Sequence, residues 1–408
     1  MTYKELRKIM SKKSLSDLIL KIREIISDPR STKKGCGVCV HALDIIVFVL
    51  IISKICGIKS YRMIEYFART HIIFLEKYFK EQIEKLKILV KEGKIKKVLP
   101  SDDTFRRVIE KISPDELFKI YEWVVNAINN NILKRCHIAI DGKCLKGTQT
   151  IELKARDVVS AFNCENFFTI SQEEVPEKKN EITAILKLLE NIEEYCYKNL
   201  VITIDAIAAN TRVVDSIVKK GWDYCIAFKE NQLTCYNYAY SLLIQNLKNY
   251  FYSESYNKHG IQGERRYFFF ENLERFPRIN EFFNLKSIGA IISFGVRKGE
   301  EFAEVRFFLT SLTSKNEFKE VARAHWKIEN NLHRSLDVFY EEDKSHIKKE
   351  NAPLNISTLR KIGLALLLLG KLYARDKNIT SKILIEIFKM NPYVIDQLLS
   401  DEYIEILR

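Results

Sequence analysis

Two short stretches decide the fold class of this sequence: HIAIDGK at residues 137–143 and LVITID at residues 200–205. In each stretch, four or five mostly apolar residues run directly into a carboxylate, which is Asp141 in the first and Asp205 in the second. A short apolar run of this kind is typical of a buried strand. Each stretch therefore predicts a buried strand that ends at an aspartate.

Strands and helices alternate around these two stretches, as they do in an α/β protein. Apolar and β-branched runs predict the strands, and amphipathic spacing predicts the helices. The predicted strands are 157–163, 166–171 and 223–228, and the predicted helices are about 179–195 and 209–220. The fold class that follows is an α/β core with some antiparallel strands.

A β-rich segment of about 230–312 follows this core in the sequence. Phenylalanine, tyrosine and β-branched residues, which favour strands, cluster there at 265–271, 288–296 and 302–312. Helical spacing then resumes over about 316–336. The pattern therefore predicts a β-rich insertion between the core strands and a long helix.

The regions on either side of the α/β core are predicted to be helical. Residues 1–130 form a predicted helical N-terminal domain, residues 131–345 the α/β domain, and residues 346–408 C-terminal helices packed on that core. The apolar run at 45–58 is too short to span a membrane and predicts a buried helix.

The sequence is basic, which bears on its partners. Its 408 residues include 66 lysines and arginines against 53 aspartates and glutamates, a net charge of +13. An excess of this kind favours polyanionic partners such as nucleic acid, although a lysine-rich solvated surface has the same composition. Nine scattered cysteines, and an N-terminus without an apolar signal core, are typical of a cytoplasmic protein with reduced thiols.

The two aspartates are candidate metal ligands. Cutting a DNA strand at neutral pH needs an activated water and a stabilised leaving oxygen, and two divalent metal ions about 3.5–4 Å apart supply both. Carboxylates at neighbouring strand ends suit such ions because a sheet fixes their separation. The alternative is that each aspartate caps the turn or helix after it. The residues alone leave Asp141 and Asp205 evenly balanced between the two roles.

A third acid, Glu329, lies in the predicted helix at 316–336. Helical spacing places His325, Glu329 and His333 on one face, four residues apart. The spacing differs from the His-Glu-x-x-His pattern of zinc proteases, which disfavours that class of enzyme. The plain alternative is a surface helix with a polar face.

The sequence resembles one known family along almost its whole length. The longest block is HWKIENNLHRSLDV at residues 325–338, followed by Glu342 and Asp343. Shorter blocks are LPSDDTFRR at 99–107, DGK at 141–143, VSAF at 159–162, Gln172, EKKNEI at 177–182, TIDA at 203–206, Asp223-Tyr224 and KENQ at 229–232. In these blocks the chain resembles the H-repeat-associated insertion-sequence transposases of the Asp-Asp-Glu transposase superfamily.

The resemblance implies a ribonuclease-H-like catalytic core with a β-rich insertion, preceded by an all-helical domain and followed by C-terminal helices. It implies that Asp141, Asp205 and Glu329 are the catalytic residues and that together they hold two Mg²⁺ or Mn²⁺ ions. The expected activity is cleavage of DNA strands and their transfer to a target, without a covalent enzyme–DNA intermediate. The expected partners are double-stranded DNA, namely the element's terminal repeats and the target, and a second copy of the chain on that DNA. No membrane partner is expected.

Nine further residues are candidate DNA contacts, through the resemblance or through their charge. They are Lys143, Lys229, Asn231, Gln232, Arg106, Arg107, Arg323, His325 and Lys327. Arg106 and Arg107 lie on the first of two capped helices that begin near Ser101 and Ser113. These helices fit either a DNA-binding pair or, more simply, a plain helical hairpin.

The sequence departs from the family pattern in places. Lys146 and Glu230 stand where the family often has arginine and glycine, and a His-Gly-Arg-x-Glu-x-Arg block is blurred over residues 259–266. The pair Cys36-x-x-Cys39 is not followed by a second pair of metal ligands at the spacing of a zinc finger, so a zinc finger is not expected.

Two alternative functions remain. The chain could be a nuclease or a silenced transposase relic that binds DNA without strand transfer, or it could be a non-catalytic DNA-binding protein.

Overall fold

The computed structural model describes most of the chain. The described residues are 13–30, 39–128, 136–150, 154–175, 181–192, 200–206, 209–258, 260–374, 376 and 378–400. Three features of the sequence analysis lie outside them: Cys36, residues 177–180 of a family block, and His259 of the blurred block.

The elements of the described residues are given in chain order. The helices are α1 (Leu15–Ile25), α2 (Leu43–Ile55), α3 (Tyr61–Thr70), α4 (Ile72–Lys91), α5 (Asp102–Lys111), α6 (Pro114–Ile128), α7 (Glu181–Asn191), α8 (Thr211–Lys219), α9 (Leu233–Gln245), α10 (Lys315–Ala324), α11 (Arg334–Tyr340), α12 (Ala352–Tyr373), α13 (Ser381–Met390) and α14 (Tyr393–Ser400). The strands are β1 (His137–Leu145), β2 (Arg156–Asn163), β3 (Phe168–Val175), β4 (Val201–Ile204), β5 (Asp223–Phe228), β6 (Tyr252–Lys258), β7 (Ile261–Phe270), β8 (Ser287–Arg297) and β9 (Glu300–Thr310).

These elements form two compact units. The helical unit comprises Met1–Ile132, Leu145–Ala155 and Arg334–Arg408. The sheet unit comprises Leu133–Cys144 and Arg156–His333. The predicted division into domains at residues 130 and 345 stays a prediction.

The core of the helical unit is built around α12, which packs against α2, α5 and α6. The side-chain amide of Asn355 on α12 donates to the carbonyls of Ile109 and Ile112 at the end of α5. Among the described helices, α12 alone is long and apolar enough to cross a membrane, but 94% of its apolar window is buried inside the protein, as in a core helix. The predicted buried helix at 45–58 is confirmed as α2, which is buried from Asp44 to Ile55.

The sheet unit contains one mixed sheet of nine strands in the order β3-β2-β1-β4-β5-β9-β8-β7-β6. Strands β1, β4 and β5 run parallel to one another, whereas β2 and β3 are antiparallel to each other. The last pair of the β1–β4 ladder is Ile140 with Ile204. Asp141 and Asp205 are the next residues on the two strands, so they leave the ladder at the same edge of the sheet.

The β-rich insertion continues this sheet. Strand β9 pairs antiparallel with β5, and β8, β7 and β6 follow outward. The three strands predicted in the insertion are confirmed as β7, β8 and β9. The start of the segment is the helix α9, because its buried residues Cys235, Ala239 and Leu243 recur every four residues. The predicted α/β fold with helices toward both ends of the chain is confirmed in this coarse form.

The long helix predicted at 316–336 is interrupted. Helix α10 ends at Ala324, a π-helical segment covers Ile328–His333, and α11 begins at Arg334. Helical turns of this wider type are rare and are frequently found at functional sites. Glu329 therefore lies within the segment that departs from a regular α-helix.

Candidate metal-binding active site

Asp141 and Asp205 directly follow the last residue pair of the ladder between the neighbouring parallel strands β1 and β4, Asp141 in the middle of β1 and Asp205 just after the end of β4. Both side chains are partly exposed, 27% for Asp141 and 55% for Asp205. Strand β1 continues past Asp141 to Leu145, and the side chain that caps α8 is that of Asn210. The two carboxylates are thus held by the sheet and are accessible to a ligand.

The π-helical segment brings a second carboxylate to Asp141. One ligand atom from each of Asp141, Glu329 and His333 lies within 4.8 Å of the other two. Nε2 of His333 is 3.4 Å from Oδ2 of Asp141. Glu329 and His333 are four residues apart on the segment, and both side chains reach Asp141 on β1.

Asp205 lines the same cavity as Asp141 and Glu329, a space of about 190 Å³. Its carboxylate does not belong to the group of ligand atoms that lie within 4.8 Å of one another. Nζ of Lys229 is 4.0 Å from Oδ2 of Asp205. The cavity thus contains all three predicted acids, with Asp141 and Glu329 grouped around His333.

The chemistry of this donor set fits a divalent metal ion. Both ring nitrogens of His333 are buried, and neither has a hydrogen-bond partner among the described residues. A buried polar group without a partner is costly, so such a group calls for a ligand. Asp141 and Glu329 add carboxylate oxygens beside the imidazole. Transition metal ions are commonly bound by such mixed sets of nitrogen and oxygen atoms.

Glu181, in the first turn of α7, is a further acid beside the site. Gly142 makes room for it, because a Cβ at that glycine would lie 2.3 Å from Oε1 of Glu181. Burial raises the pKa of Glu181, and the charges of Asp141, Asp157 and Asp205 raise it further. Glu181 therefore binds a proton more readily than an ordinary glutamate. The sequence analysis included this residue in a family block but assigned it no role.

Two histidines are joined by Thr203 beneath the acids. The Thr203 hydroxyl is 2.7 Å from Nε2 of His137 and 2.8 Å from Nδ1 of His325, so it links β1, β4 and the end of α10. Burial lowers the pKa of His137 to about 3. Burial also lowers the pKa of His325, despite the opposing carboxylates of Asp141 and Asp205. One ring nitrogen of His325, a predicted DNA contact, is thus committed to Thr203.

Two other predicted DNA contacts hold the chain that follows β4. The side-chain amide of Asn231 donates to the Ala206 carbonyl at 2.9 Å, and that of Gln232 donates to the Ala209 carbonyl at 2.7 Å. Ala206 directly follows Asp205. These amides therefore restrain the backbone next to a predicted catalytic carboxylate.

The remaining predicted DNA contacts have partners within the protein. In the sheet unit, Lys143 donates to the His333 carbonyl at 3.3 Å, Lys327 to the Cys164 carbonyl at 3.0 Å, and Arg323 is paired with Glu254 at 2.6 Å. In the helical unit, Arg106 is paired with Asp103 and Glu110, and Arg107 with Asp103. Lys143 is thus tied to the segment that carries Glu329.

Arg306, on β9, is a residue of the cavity that the sequence analysis missed. It lines the cavity with the three acids. Its guanidinium lies 4.8 Å from the centre of the Trp326 ring, and that of Arg265 lies 5.5 Å from the same ring. No local signal identifies Arg306, because only the pairing of β9 with β5 brings it to the site.

Two known protein families match this chain. The family described as "Transposase DDE domain" matches residues 132–362, and one described as "DDE_Tnp_1-associated" matches residues 22–124. The chain therefore belongs to the DDE-domain transposase family. A domain of this family implies a DNA substrate and dependence on divalent metal ions.

Three relatives from Escherichia coli are similar to the chain over most of its length. "Putative transposase YncI" of strain O157:H7 is 31% identical over 88% of this chain and 88% of its own length. "H repeat-associated putative transposase YhhI" of strain K12 is 30% identical over 86% of this chain and 90% of its own. "Putative protein YbfL" of strain K12 is 30% identical over 82% and 86%. The predicted resemblance to H-repeat-associated transposases is confirmed.

Proposed function

We propose that this chain is the DNA transposase of an insertion sequence, which cleaves DNA strands at the element's ends and transfers them to a target. One observation carries the proposal. Asp141 and Asp205 follow the same pair of the β1–β4 ladder, and Glu329 lines the same cavity. These three carboxylates are the proposed catalytic residues.

The sheet unit is proposed to have a ribonuclease-H-like core. The antiparallel β2 and β3 beside the parallel β1, β4 and β5 support this arrangement, as do α7 and α8 between successive strands. Strands β6 to β9 are then the insertion that precedes the segment with Glu329. All three acids would come from rigid elements, which hold their separations more constant than loops do.

The three acids are proposed to hold two Mg²⁺ or Mn²⁺ ions, with His333 as a further ligand. Such ions, when bound, activate a water or a 3′ hydroxyl and stabilise the leaving oxygen. The position of Nε2 of His333, 3.4 Å from Oδ2 of Asp141, supports its assignment. Because Mg²⁺ prefers oxygen ligands, an imidazole in the set favours a transition metal ion such as Mn²⁺.

The cations of the cavity are proposed to bind the DNA backbone. Lys229 lies beside Asp205, and Arg306 lies against Trp326. Among the described residues no carboxylate lies within 4.0 Å of the Arg306 guanidinium, so its donors remain available for phosphate oxygens. Asn231 is proposed to orient Asp205 through the Ala206 carbonyl.

The proposed partners are the terminal repeats of the element, a target duplex and a second copy of the chain on that DNA. The net charge of +13 supports association with DNA. Action on chromosomal DNA in the cytoplasm of a prokaryotic cell is the corresponding proposal for its location.

The test is an assay of strand cleavage and joining. The full-length protein is incubated with Mg²⁺ or Mn²⁺, a labelled duplex that carries the end of the insertion sequence, and a target plasmid. Cleavage at the element end followed by joining to the plasmid is expected. Asp205→Asn is expected to remove both reactions, whereas the matched control Glu301→Gln, at an exposed acid of β9, keeps them.

Three outcomes would count against the proposal. Full activity in Asp205→Asn would contradict the assignment of the site. Cleavage without joining would indicate a nuclease. Salt-sensitive DNA binding without any metal-dependent cleavage would indicate a DNA-binding protein that has no catalytic activity.

A further inference from the structure

A second cavity, of about 540 Å³, lies within the helical unit. The start of α3, one face of α5, residues 340–349 and Arg360 of α12 form its walls. We call it the basic pocket. Residues 341–349 are held in place by an ion pair between Lys146 and Asp343 at 2.7 Å, and the Ser345 carbonyl packs closely against Gly147.

Positive charge predominates on the walls of the basic pocket. Its lysines and arginines are Lys59, Arg106, Lys344, Lys348, Lys349 and Arg360, and its carboxylates are Glu110 and Glu341. Glu341 is paired with Lys59 at 2.7 Å, and Glu110 with Arg106 at 3.1 Å. Glu110 also pairs with Lys349, and Arg106 and Arg360 have the partners Asp103 and Glu342 outside the lining, so the excess positive charge of the pocket lies on Lys344 and Lys348.

Lys344 and Lys348 contribute most to this excess. Among the described residues, neither ammonium group has a carboxylate within 4.0 Å, and Lys348 donates instead to the Gln149 carbonyl. Lys344 is exposed. The ammonium group of Lys344 is therefore open to an anion that enters from solvent, and that of Lys348 keeps donors beyond the one that Gln149 accepts.

Two tyrosine hydroxyls in the wall have no partner. The hydroxyl oxygens of Tyr61 and Tyr340 are buried, and neither forms a hydrogen bond with the described residues. Tyr340 is only 4% exposed. Burial raises the pKa of both tyrosines, so each hydroxyl keeps its proton and is a donor. Leaving two buried donors unsatisfied is costly, and an oxygen-rich anion would satisfy them.

Arg360 adds a rigid charge to the wall of the pocket. It is 6% exposed and projects from α12, the core helix of the unit. Its guanidinium lies 3.5 Å from Oε1 of Glu342, which offsets only part of the cost of burying it. Planar guanidinium groups favour phosphate because their donors match two of its oxygens.

We propose that the basic pocket binds a phosphate group, and that this phosphate belongs to the backbone of a DNA duplex held by the helical unit. The choice of DNA over a free phosphate rests on the proposed function, and the excess of 13 positive charges on the chain supports it. Lys344 and Lys348 pair with the phosphate charge, while Tyr61 and Tyr340 donate hydrogen bonds to its oxygens. The pocket would therefore contribute to affinity and to the position of the duplex rather than to base recognition.

The first arm of the test measures binding of full-length protein to a labelled random-sequence duplex, by fluorescence anisotropy in EDTA over a series of salt concentrations. The double variant Lys344→Gln/Lys348→Gln is expected to weaken binding and to reduce the slope of log affinity against log salt by about 1 to 2. The control is Lys371→Gln/Lys382→Gln, which removes the same charge from exposed positions on α12 and α13. Its slope is expected to equal that of the wild type.

The second arm uses inorganic phosphate as the probe and the melting temperature as the readout. Phosphate is expected to raise the melting temperature of the wild type. Tyr61→Phe/Tyr340→Phe is expected to abolish that gain without lowering the melting temperature in the absence of phosphate, because it removes two unsatisfied hydroxyls. A purely structural role of the tyrosines would not change the response to phosphate.

A lysine variant with the same slope as its control, together with no effect of phosphate on melting, would overturn the proposal. An effect of phosphate on melting with an unchanged slope would overturn the assignment to DNA and indicate a free phosphate. Because both arms work without a divalent metal, they succeed or fail independently of strand cleavage and of the proposed catalytic site.

Discussion

The buried carboxylates of the helical unit and the three candidate catalytic carboxylates of the sheet unit have opposite surroundings. In the helical unit, four acids that are at most 7% exposed each have an arginine partner: Asp44 with Arg23, Glu65 with Arg69, Glu110 with Arg106 and Glu342 with Arg360. In the sheet unit, Asp141 and Glu329 have no lysine or arginine within 4.0 Å among the described residues, and Asp205 has Lys229 only at that limit.

The contrast separates acids that stabilise the fold from the acids that are proposed to bind metal ions. A buried carboxylate without a compensating charge is unfavourable, so pairing with arginine explains the helical unit. Grouping acids near one another without such pairing is unfavourable for stability. The cluster around Asp141 agrees with the dependence on divalent metal ions that the family implies.

The largest expected effect concerns the unpaired acids. Asp141→Asn or Glu329→Gln is expected to reduce metal-dependent strand cleavage by about a thousandfold or more, because each removes a proposed metal ligand. Neither change is expected to lower the melting temperature, since each relieves repulsion within the cluster. A cleavage assay and thermal unfolding measure the two quantities. A clear loss of stability in Asp141→Asn would break the contrast between the two units.

The opposite result is expected for a paired acid. Glu342→Gln leaves the buried guanidinium of Arg360 uncompensated, and breaking a buried ion pair costs about 3–5 kcal/mol in the free energy of unfolding. Urea unfolding measures this change. The control is Glu386→Gln, because Glu386 is 62% exposed and its pair with Lys389 lies at the surface. Equal effects of the two changes would show that Arg360 does not depend on Glu342.

His333 is expected to increase the affinity of the acidic site for a metal ion. His333→Ala is expected to weaken Mn²⁺ binding by about tenfold to a hundredfold, since loss of a ligand or its support typically has an effect of this size. Calorimetric titration of the protein with Mn²⁺ in the absence of DNA measures it. His346→Ala, at an exposed histidine of the helical unit, is the control. An unchanged affinity for Mn²⁺ would remove His333 from the proposed site.

The smallest expected effect concerns the histidine beneath the acids. The folded protein keeps His137 neutral down to a pH of about 3, whereas the unfolded chain takes up a proton below about 6.5. Stability is therefore lost as the pH falls below 6.5, by about 1 kcal/mol between pH 7.5 and pH 5.5. The measurement is urea unfolding of the wild type and His137→Gln at both pH values. The same loss in both proteins would show that His137 does not cause it.

The sequence analysis could predict features that depend on local pattern. The apolar runs before Asp141 and Asp205 predicted β1 and β4, and the β-branched and aromatic clusters predicted three strands of the insertion. Buried elements such as these strands and α2 can be predicted from residue type, because apolar side chains occupy the core. The proposed roles of the acids stay predictions of the analysis.

Glu329 shows where local pattern was insufficient. Four acids follow it closely: Asp337, Glu341, Glu342 and Asp343. In the structure, Glu341 is paired with Lys59, Glu342 with Arg360 and Asp343 with Lys146, whereas Glu329 lies beside Asp141. The partners of Glu329, Glu341, Glu342 and Asp343 distinguish these four acids, and each of those partners is distant in the sequence. Glu329 is therefore identified in the sequence only through the resemblance of residues 325–338 to a family block.

The α/β class, the strands that lead to Asp141 and Asp205, and the family could all be read from local sequence, although β1 runs on to Leu145 where the sequence predicted an end at Asp141. Other features are visible only in the tertiary structure. They are the π-helical turn, the position of His333 beside Asp141, the presence of Arg306 in the cavity and the unsatisfied hydroxyls of the basic pocket. The physical reason is the range of the interactions. Strand and helix patterns follow from neighbouring residues, whereas a binding site depends on side chains that folding alone brings together.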